Sequence, residues 1–311
     1  MTTHSKNDHY FVPHGSIYPS ILSAGLLTLA TGFIFSVATD KGGSTLSYLT
    51  TPGKYMMYAG FALILTMVFK WLGTVISESL AGKYSGWEDK SFRWGMIVFI
   101  CSEVAFFAAF FGALFYMRVL SVPDLAGFDP NFTPYKDFLG TWPSTGPGGP
   151  SMGTGGLVVD GVYTPPANFK PMHWFPLPLI NTILLLSSGA TITWAHWGLI
   201  KNNRKQLIIG MALTVALGVA FLCCQAAEYH EAYTEMGLTL GSGAYGATFF
   251  MLTGFHGFHV LLGTTMLIVI LLRCIKGHFS PEHHFGFEGV AWYWHFVDVV
   301  WLGLFIFVYM L

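Results

Sequence analysis

Charge is what this sequence has least of. Charged residues make up 10% of its 311 positions, where a soluble domain carries about a quarter, and that shortage excludes a soluble globular enzyme. Lysine and arginine number 15 against 16 aspartates and glutamates, so the basic excess that holds a polyanion is missing and nucleic-acid binding is excluded with it. Cysteine is scarce too. Cys101, Cys223, Cys224 and Cys274 lie in or beside apolar runs, form no C-x-x-C pair and no secreted disulfide spacing, and are expected to pack rather than react. No A-x-A cleavage site follows the polar first eighteen residues, so the first apolar run is expected to remain as a span. Motifs of the form G-x-x-x-x-G-K, G-x-S-x-G, H-E-x-x-H and C-x-x-C-H do not occur, which leaves phosphate cradling, acyl transfer, zinc hydrolysis and covalent haem attachment unsupported.

What the chain has in quantity is apolar residues, at 53%, and aromatics, at 17%, a content that excludes disorder. The apolar residues gather into seven runs, about Pro19 to Ala38, Tyr55 to Ser77, Arg93 to Val119, Leu177 to Ile200, Leu207 to Tyr229, Tyr245 to Arg273 and Gly289 to Met310. Each has the roughly 20 residues that the hydrocarbon core demands of a helix. An all-α polytopic membrane protein of seven transmembrane helices is therefore expected. Lys6, Lys83, Lys90, Arg93, Lys201, Arg204, Lys205, Arg273 and Lys276 fall on one side of such a chain, which predicts that side, and the N-terminus, to be inside and the C-terminus outside. Three segments follow: 1–18 before the first span, 19–80 with two helices, and 81–311 with five. The stretch 120–174, containing PSTGPGGPSMGTGG, is too rich in glycine and proline to span. It is either a surface for an extramembrane partner or a flexible insertion.

Polar residues inside the runs carry the chemistry. Glu103 lies ten residues into the third run, about 15 Å deep at 1.5 Å per residue. Phe99, Phe106, Phe107 and Phe110 surround it at helical spacings. A carboxylate at that depth costs on the order of 2.5 to 3.5 kcal/mol, which points to a proton-handling or subunit-contact site, or else to a neutral, hydrogen-bonded packing residue. In the last run His295 and Asp298 share a helical face and can pair. His256 and His259, three apart in the sixth run, complete a deep belt of polar groups that is open to metal or haem ligation, or to packing among aromatic rings, the reading favoured by the absence of a visible converging ligand set. At the inner surface, Arg273, Lys276, His278, His283 and His284 cluster, with Trp71 and Glu78 at the inner end of the second run. They read as a seat for anionic lipid headgroups or as ordinary positive-inside decoration.

Six long motifs in these same runs resemble subunit III of the haem–copper cytochrome c oxidases: RWGMIVFICSEVAFF from Arg93, WPSTG from Trp142, PLPLINTILLLSSGATITWAH from Pro176, QAAEY from Gln225, YGATFFMLTGFHGFHVLLGT from Tyr245 and HHFGFEGVAWYWHFVDVVWL from His283. They cover most of the chain from Arg93 onward, and the first two spans match more weakly. The resemblance implies a first pair of helices splayed from a five-helix bundle with a lipid cleft between them. It implies no cofactor on this chain, haem and copper residing in the partner subunits I and II, and bound phospholipids. Glu103 matches the family's intramembrane carboxylate near the proton-uptake side of subunit I. Trp71, Glu78, Arg273 and His278 match headgroup positions, and His256, His259, His295 and Asp298 become buried packing residues, with no metal ligands and no catalytic residue. The implied role is to support proton uptake by subunit I and to protect the oxygen-reducing centre in a proton-pumping oxidase of aerobic respiration. The long insertion before Pro176, which mitochondrial members lack, favours a bacterial inner-membrane enzyme with the 120–174 loop periplasmic and residues 1–18 cytoplasmic. Three other functions compete: subunit III of a quinol oxidase, disfavoured by the two extra N-terminal spans; an autonomous di-iron membrane oxidase using His256, His259, His283, His284 and His295; and a proton or ion transporter through Glu103 and the His295/Asp298 pair.

Overall fold

The computed structural model describes residues 15–37, 49–84, 86–127, 138, 140–144, 146, 157–159, 162–164 and 170–311. Most of the N-terminal segment 1–18, and much of the 120–174 loop, lie outside the described residues. Among the described residues, seven helices are long and apolar enough to cross a membrane. They are α1 (Tyr18–Val37), α2 (Thr50–Leu80), α3 (Gly86–Phe115), α4 (Leu177–Ile200), α5 (Arg204–Thr234), α6 (Gly243–Lys276) and α7 (Phe285–Leu304). Two of them end in wider, π-helical turns: Tyr116–Ser121 continues α3, followed by a last turn over Val122–Leu125, and Phe305–Met310 continues α7.

The regular structure of the described residues is helical but for one small addition, an antiparallel hairpin of β1 (Leu157–Val159) and β2 (Val162–Thr164), with Val158 opposite Tyr163. Valine, tyrosine and threonine suit a pleated backbone, though three-residue strands are too short to stand out in a sequence beside seven long apolar runs. Helix ends also run past the apolar runs. The third helix begins at Gly86 rather than near Arg93 because the polar segment GWEDKSF stays helical, with Glu88 and Asp89 in its first turn, where acidic side chains complement the helix dipole.

The chain divides into two compact units, the first ending at Phe92 and the second starting at Arg93. In the first, α1 and α2 meet along a seam of buried glycines, Gly25 and Gly32 on one helix and Gly53 and Gly60 on the other. The spacing of seven puts each pair on one face, and the lack of side chains lets the backbones touch. A Cβ on Gly60 would lie 2.6 Å from the Leu29 backbone nitrogen, and one on Gly53 2.8 Å from Phe35 Cβ. The Tyr18 and Thr74 hydroxyls close the other end of the seam at 2.7 Å.

In the second unit a tight turn joins α4 to α5, with Asn203 accepting a hydrogen bond from the Gln206 N–H as the N-cap of α5. The two helices then run antiparallel in close contact. A Cβ on Gly210 would lie 2.8 Å from Ala195 Cβ, and the Thr191 and Thr214 hydroxyls meet at 2.7 Å. The last helix supplies the centre of the core. Trp294 and Trp301 are fully buried, and their indole N–H groups donate to Ser188 Oγ at 2.8 Å and Thr182 Oγ1 at 2.9 Å on α4. Gly218 and Gly263 make room for the Trp294 ring: a Cβ at either would come within 3.0 and 2.8 Å of it. The indoles thus fix the register of α7 against α4, and with it the height of every polar residue on α7.

Candidate functional site

Glu103 on α3 and His259 on α6 form one hydrogen-bonded pair, Oε2 to Nε2 at 3.0 Å. The proton inventory of the pair follows from the other ring nitrogen. His259 Nδ1 lies 2.6 Å from the Phe255 carbonyl, which can only accept, so Nδ1 carries a hydrogen. The 3.0 Å contact then holds a single proton, either on the carboxyl with Nε2 accepting, or on Nε2 with the carboxylate accepting. Aromatic rings close around it: Phe107 at 5.0 Å from the imidazole centroid, with Phe106 and Tyr293 behind. The Glu103 side chain nevertheless keeps 21% of its surface exposed, against 9% for His259. The pair can therefore shift one proton between oxygen and nitrogen without changing its total charge, on a site open at the carboxyl side. Read from sequence alone, these two residues had separate roles; the structure brings them together.

The other belt residues stay apart from it. His256 is wholly buried and neither ring nitrogen has a hydrogen-bond partner; its neighbours are the rings of Trp301 at 5.1 Å, Phe221 at 5.9 Å and Phe107 at 6.5 Å. His295 Nδ1 faces Asp298 Oδ2 at 3.6 Å, too far for a hydrogen bond, and its Nε2 meets the Thr193 hydroxyl at 3.2 Å. The Asp298 carboxylate fits against α4 because residue 189 is glycine. Among the described residues no group of three or more His, Cys, Asp and Glu could hold a metal ion. Cys274 is buried, Cys224 half-buried, and Cys101 and Cys223 are exposed on their helices.

The headgroup candidates are built by local structure. Gly277, at φ 73°, terminates α6 in a left-handed cap, with His278 N–H donating to the Arg273 carbonyl at 3.0 Å and Gly277 N–H to that of Cys274 at 3.1 Å, the double closure of a Schellman motif. This cap sets His278 one turn beyond Arg273. The Arg273 guanidinium lies over the Phe279 ring at 4.4 Å, while its Nε, and Nδ1 of His278, have no partner. In the first unit, Trp71 is exposed on α2 and Glu78 accepts from the Tyr84 hydroxyl at 2.8 Å. Burial, and then the hydrogen bond and charge of Glu78, push the Tyr84 hydroxyl up to about 12. Of the neighbouring histidines, His284 approaches the Ser280 carbonyl at 3.1 Å and stacks edge-on against His196, and the His283 N–H donates to the Ser280 hydroxyl.

Two polar contacts have no counterpart among the residues singled out from sequence. Arg93 binds Glu288 across α3 and α7. Glu228, fully buried on α5, accepts from the Tyr309 hydroxyl at 2.6 Å. The signal for Glu228 was present, a carboxylate inside QAAEY near the end of an apolar run, but depth draws notice to mid-span charges and this one lies within two turns of its helix end.

The family model described as cytochrome c oxidase subunit III matches residues 9–135 and 156–311. The interval it skips, 136–155, contains all but the last residue of the run PSTGPGGPSMGTGG. Among similar proteins, cytochrome c oxidase subunit 3 of Scyliorhinus canicula is 40% identical over 277 residues, covering 86% of this chain and 91% of its own length. The subunit 3 proteins of Squalus acanthias and Hippopotamus amphibius are each 43% identical, over 82% and 79% of this chain and 83% and 79% of theirs. With seven membrane-length helices, a family match along nearly all of its length and relatives above 40% identity, the chain belongs to the cytochrome c oxidase subunit III family and is a membrane subunit of that oxidoreductase complex.

Proposed function

We propose that this chain, which binds no haem or copper itself, assists proton uptake by subunit I of a proton-pumping cytochrome c oxidase and holds phospholipid that protects the oxygen-reducing centre. The observation that carries the reading is the Glu103–His259 pair, a single shared proton between a mid-span carboxyl and an imidazole, with the carboxyl side open. Such a pair can pass a proton between its two atoms with no change in its net charge, and the open carboxyl side is where a proton would enter or leave. The basic side chains of Arg273 and Lys276 with His278, grouped at the end of α6, supply the second element, a cluster suited to a phosphate. Trp71 and Glu78 are read as headgroup neighbours as well, Trp71 from its exposure near the end of α2. Subunits I and II are the partners in this reading, and cytochrome c the electron donor, as the relatives' names have it. In this reading the N-terminus lies inside and the C-terminus outside a bacterial inner membrane, from the placement of lysine and arginine and from the long loop before Pro176.

Purification in mild detergent should yield the chain bound to a haem-containing subunit, with no haem absorbance on the isolated polypeptide; haem on this chain alone would refute the reading. Glu103→Gln keeps the hydrogen bond to His259 but loses the ionisable group. It is expected to leave assembly intact and to change proton-coupled turnover modestly. Complete failure to assemble would instead make the pair purely structural.

A further inference from the structure

Five polar atoms in the second unit are buried without a hydrogen-bond partner within one small region: Nδ2 and Oδ1 of Asn181, Nε2 and Oε1 of Gln225, and Oε2 of Glu228. Asn181 and Glu228 have no exposed surface and Gln225 has 5%. Helix register brings them to one level. Across the antiparallel α4/α5 seam, Gly198 faces Leu207, Ala195 faces Gly210, and Thr191 meets Thr214, so each pair of facing residue numbers adds to the same total. Continued along the seam, that register sets Asn181 opposite position 224, beside Gln225, with Glu228 one turn further on α5. The last helix borders the region at both ends. Trp301 bonds Thr182, the neighbour of Asn181, and Tyr309, in the π-helical end of α7, bonds the other oxygen of Glu228. The Gln225 carboxamide approaches the Tyr229 hydroxyl, which is engaged by Thr253, without closing a bond of good geometry.

A buried carboxamide or carboxyl oxygen left unsatisfied costs more than immobilising a water molecule that satisfies it. Buried waters typically make about three hydrogen bonds each, so about two would serve these five atoms. We propose that Asn181, Gln225 and Glu228 form an internal water-binding site between α4, α5 and the end of α7, in which ordered water completes the polar contacts and ties the Glu228–Tyr309 bond to α4. The site is separate from the Glu103–His259 pair, since none of its residues contacts that pair. Its π-helical wall is part of the fit, because the wider turn presents Tyr309 to α5 where a regular helix would carry its side chain to another bearing.

The test uses the whole oxidase complex. Asn181→Leu, branched like the carboxamide but larger, removes two of the water's partners without creating a void, and Gln225→Leu, a closer match in volume, separates loss of the water from overpacking. With water present Asn181→Leu strands Gln225 and Glu228, and the unfolding midpoint of the chain falls by a few degrees; Gln225→Leu shows the same loss. In a dry site each change removes an unsatisfied group, the midpoint rises, and the proposal is overturned. Radiolytic footprinting in oxygen-18 water provides the second measurement. Labelled oxygen should appear on the buried rings beside the site, Tyr309 and Phe221, in the native complex and be lost in Asn181→Leu. Native rings left unlabelled, or a bound metal cation found at the three side chains in place of water, would overturn it as well.

Discussion

Replacing Glu103 and His259 by leucine, singly and together, tests the pair by its energetics. The contact joins α3 to α6 through a 3.0 Å bond with a half-buried carboxyl on one side and a buried imidazole on the other. Glu103→Leu strips His259 Nε2 of its partner inside a cage of phenylalanines, and leaving a buried polar atom unsatisfied costs about 1 to 3 kcal/mol. His259→Leu leaves the carboxyl alone and also removes the donor to the Phe255 carbonyl, but Glu103 retains a route toward the surface, so the expected loss lies at the lower end of that range. The double variant leaves neither group stranded and puts two apolar side chains against rings, and it should be less damaging than the sum of its parts. Measured couplings between polar groups on membrane helices centre near 0.6 kcal/mol and reach about 1.7, and that is the interaction energy expected here, up to a factor of about 20 in an unfolding equilibrium. An SDS titration in mixed micelles, followed by circular dichroism and tryptophan fluorescence for all four proteins, supplies the cycle. Losses that add to within about 0.3 kcal/mol would refute it, because the two side chains would then contribute independently, and the shared proton would have no energetic meaning.

Changing both Arg273 and His278 to alanine should lower the phospholipid recovered with the purified complex and shorten its working lifetime during turnover; unchanged lipid content would remove the headgroup assignment. Gly60→Leu forces a side chain into backbone that already lies 2.6 Å from where its first carbon would stand, and overpacking of this kind costs about 1 to 3 kcal/mol. Loss of cysteine cross-linking between α1 and α2 would register it, and undiminished cross-linking would show that the seam can open at no cost. The Tyr84 hydroxyl, held near 12 against 10 in an unfolded chain, stabilises the fold in its protonated form. That contribution is whole below pH 10 and fades as pH rises through 12. Tyrosinate absorbance, taken as the difference between the parent chain and Tyr84→Phe, should show this residue ionising near pH 12, and ionisation at the ordinary value would remove the Glu78 contact.

Sequence alone made the seven spans legible because twenty apolar residues in a row admit few other structures in a lipid-like setting. Their ends were less so: the helical turn from Gly86 is polar and invisible to an apolar count, and the hairpin at 157–164 is shorter than any span. Among site residues, depth found Glu103 and the i,i+3 rule found His295 with Asp298. Neither rule could see Glu103 beside His259, since the contact joins helices 156 residues apart and depends on rotation about two helix axes. Arg93 with Glu288 escaped for the same reason. The indole bonds to Ser188 and Thr182 escaped because a serine and a threonine in an apolar run announce nothing until a tryptophan is placed beside them.

The glycine seam of the first helix pair has a consequence for how such chains change over time. A contact made by bare backbone asks only that four positions stay small; the exposed apolar residues around it, such as Leu27, Phe33 and Phe61, meet a surrounding that accepts leucine, valine or phenylalanine alike. Lineages can therefore exchange one greasy side chain for another there at almost no penalty, while the four small positions hold still, and likeness between distant cousins fades in this hairpin long before its shape does.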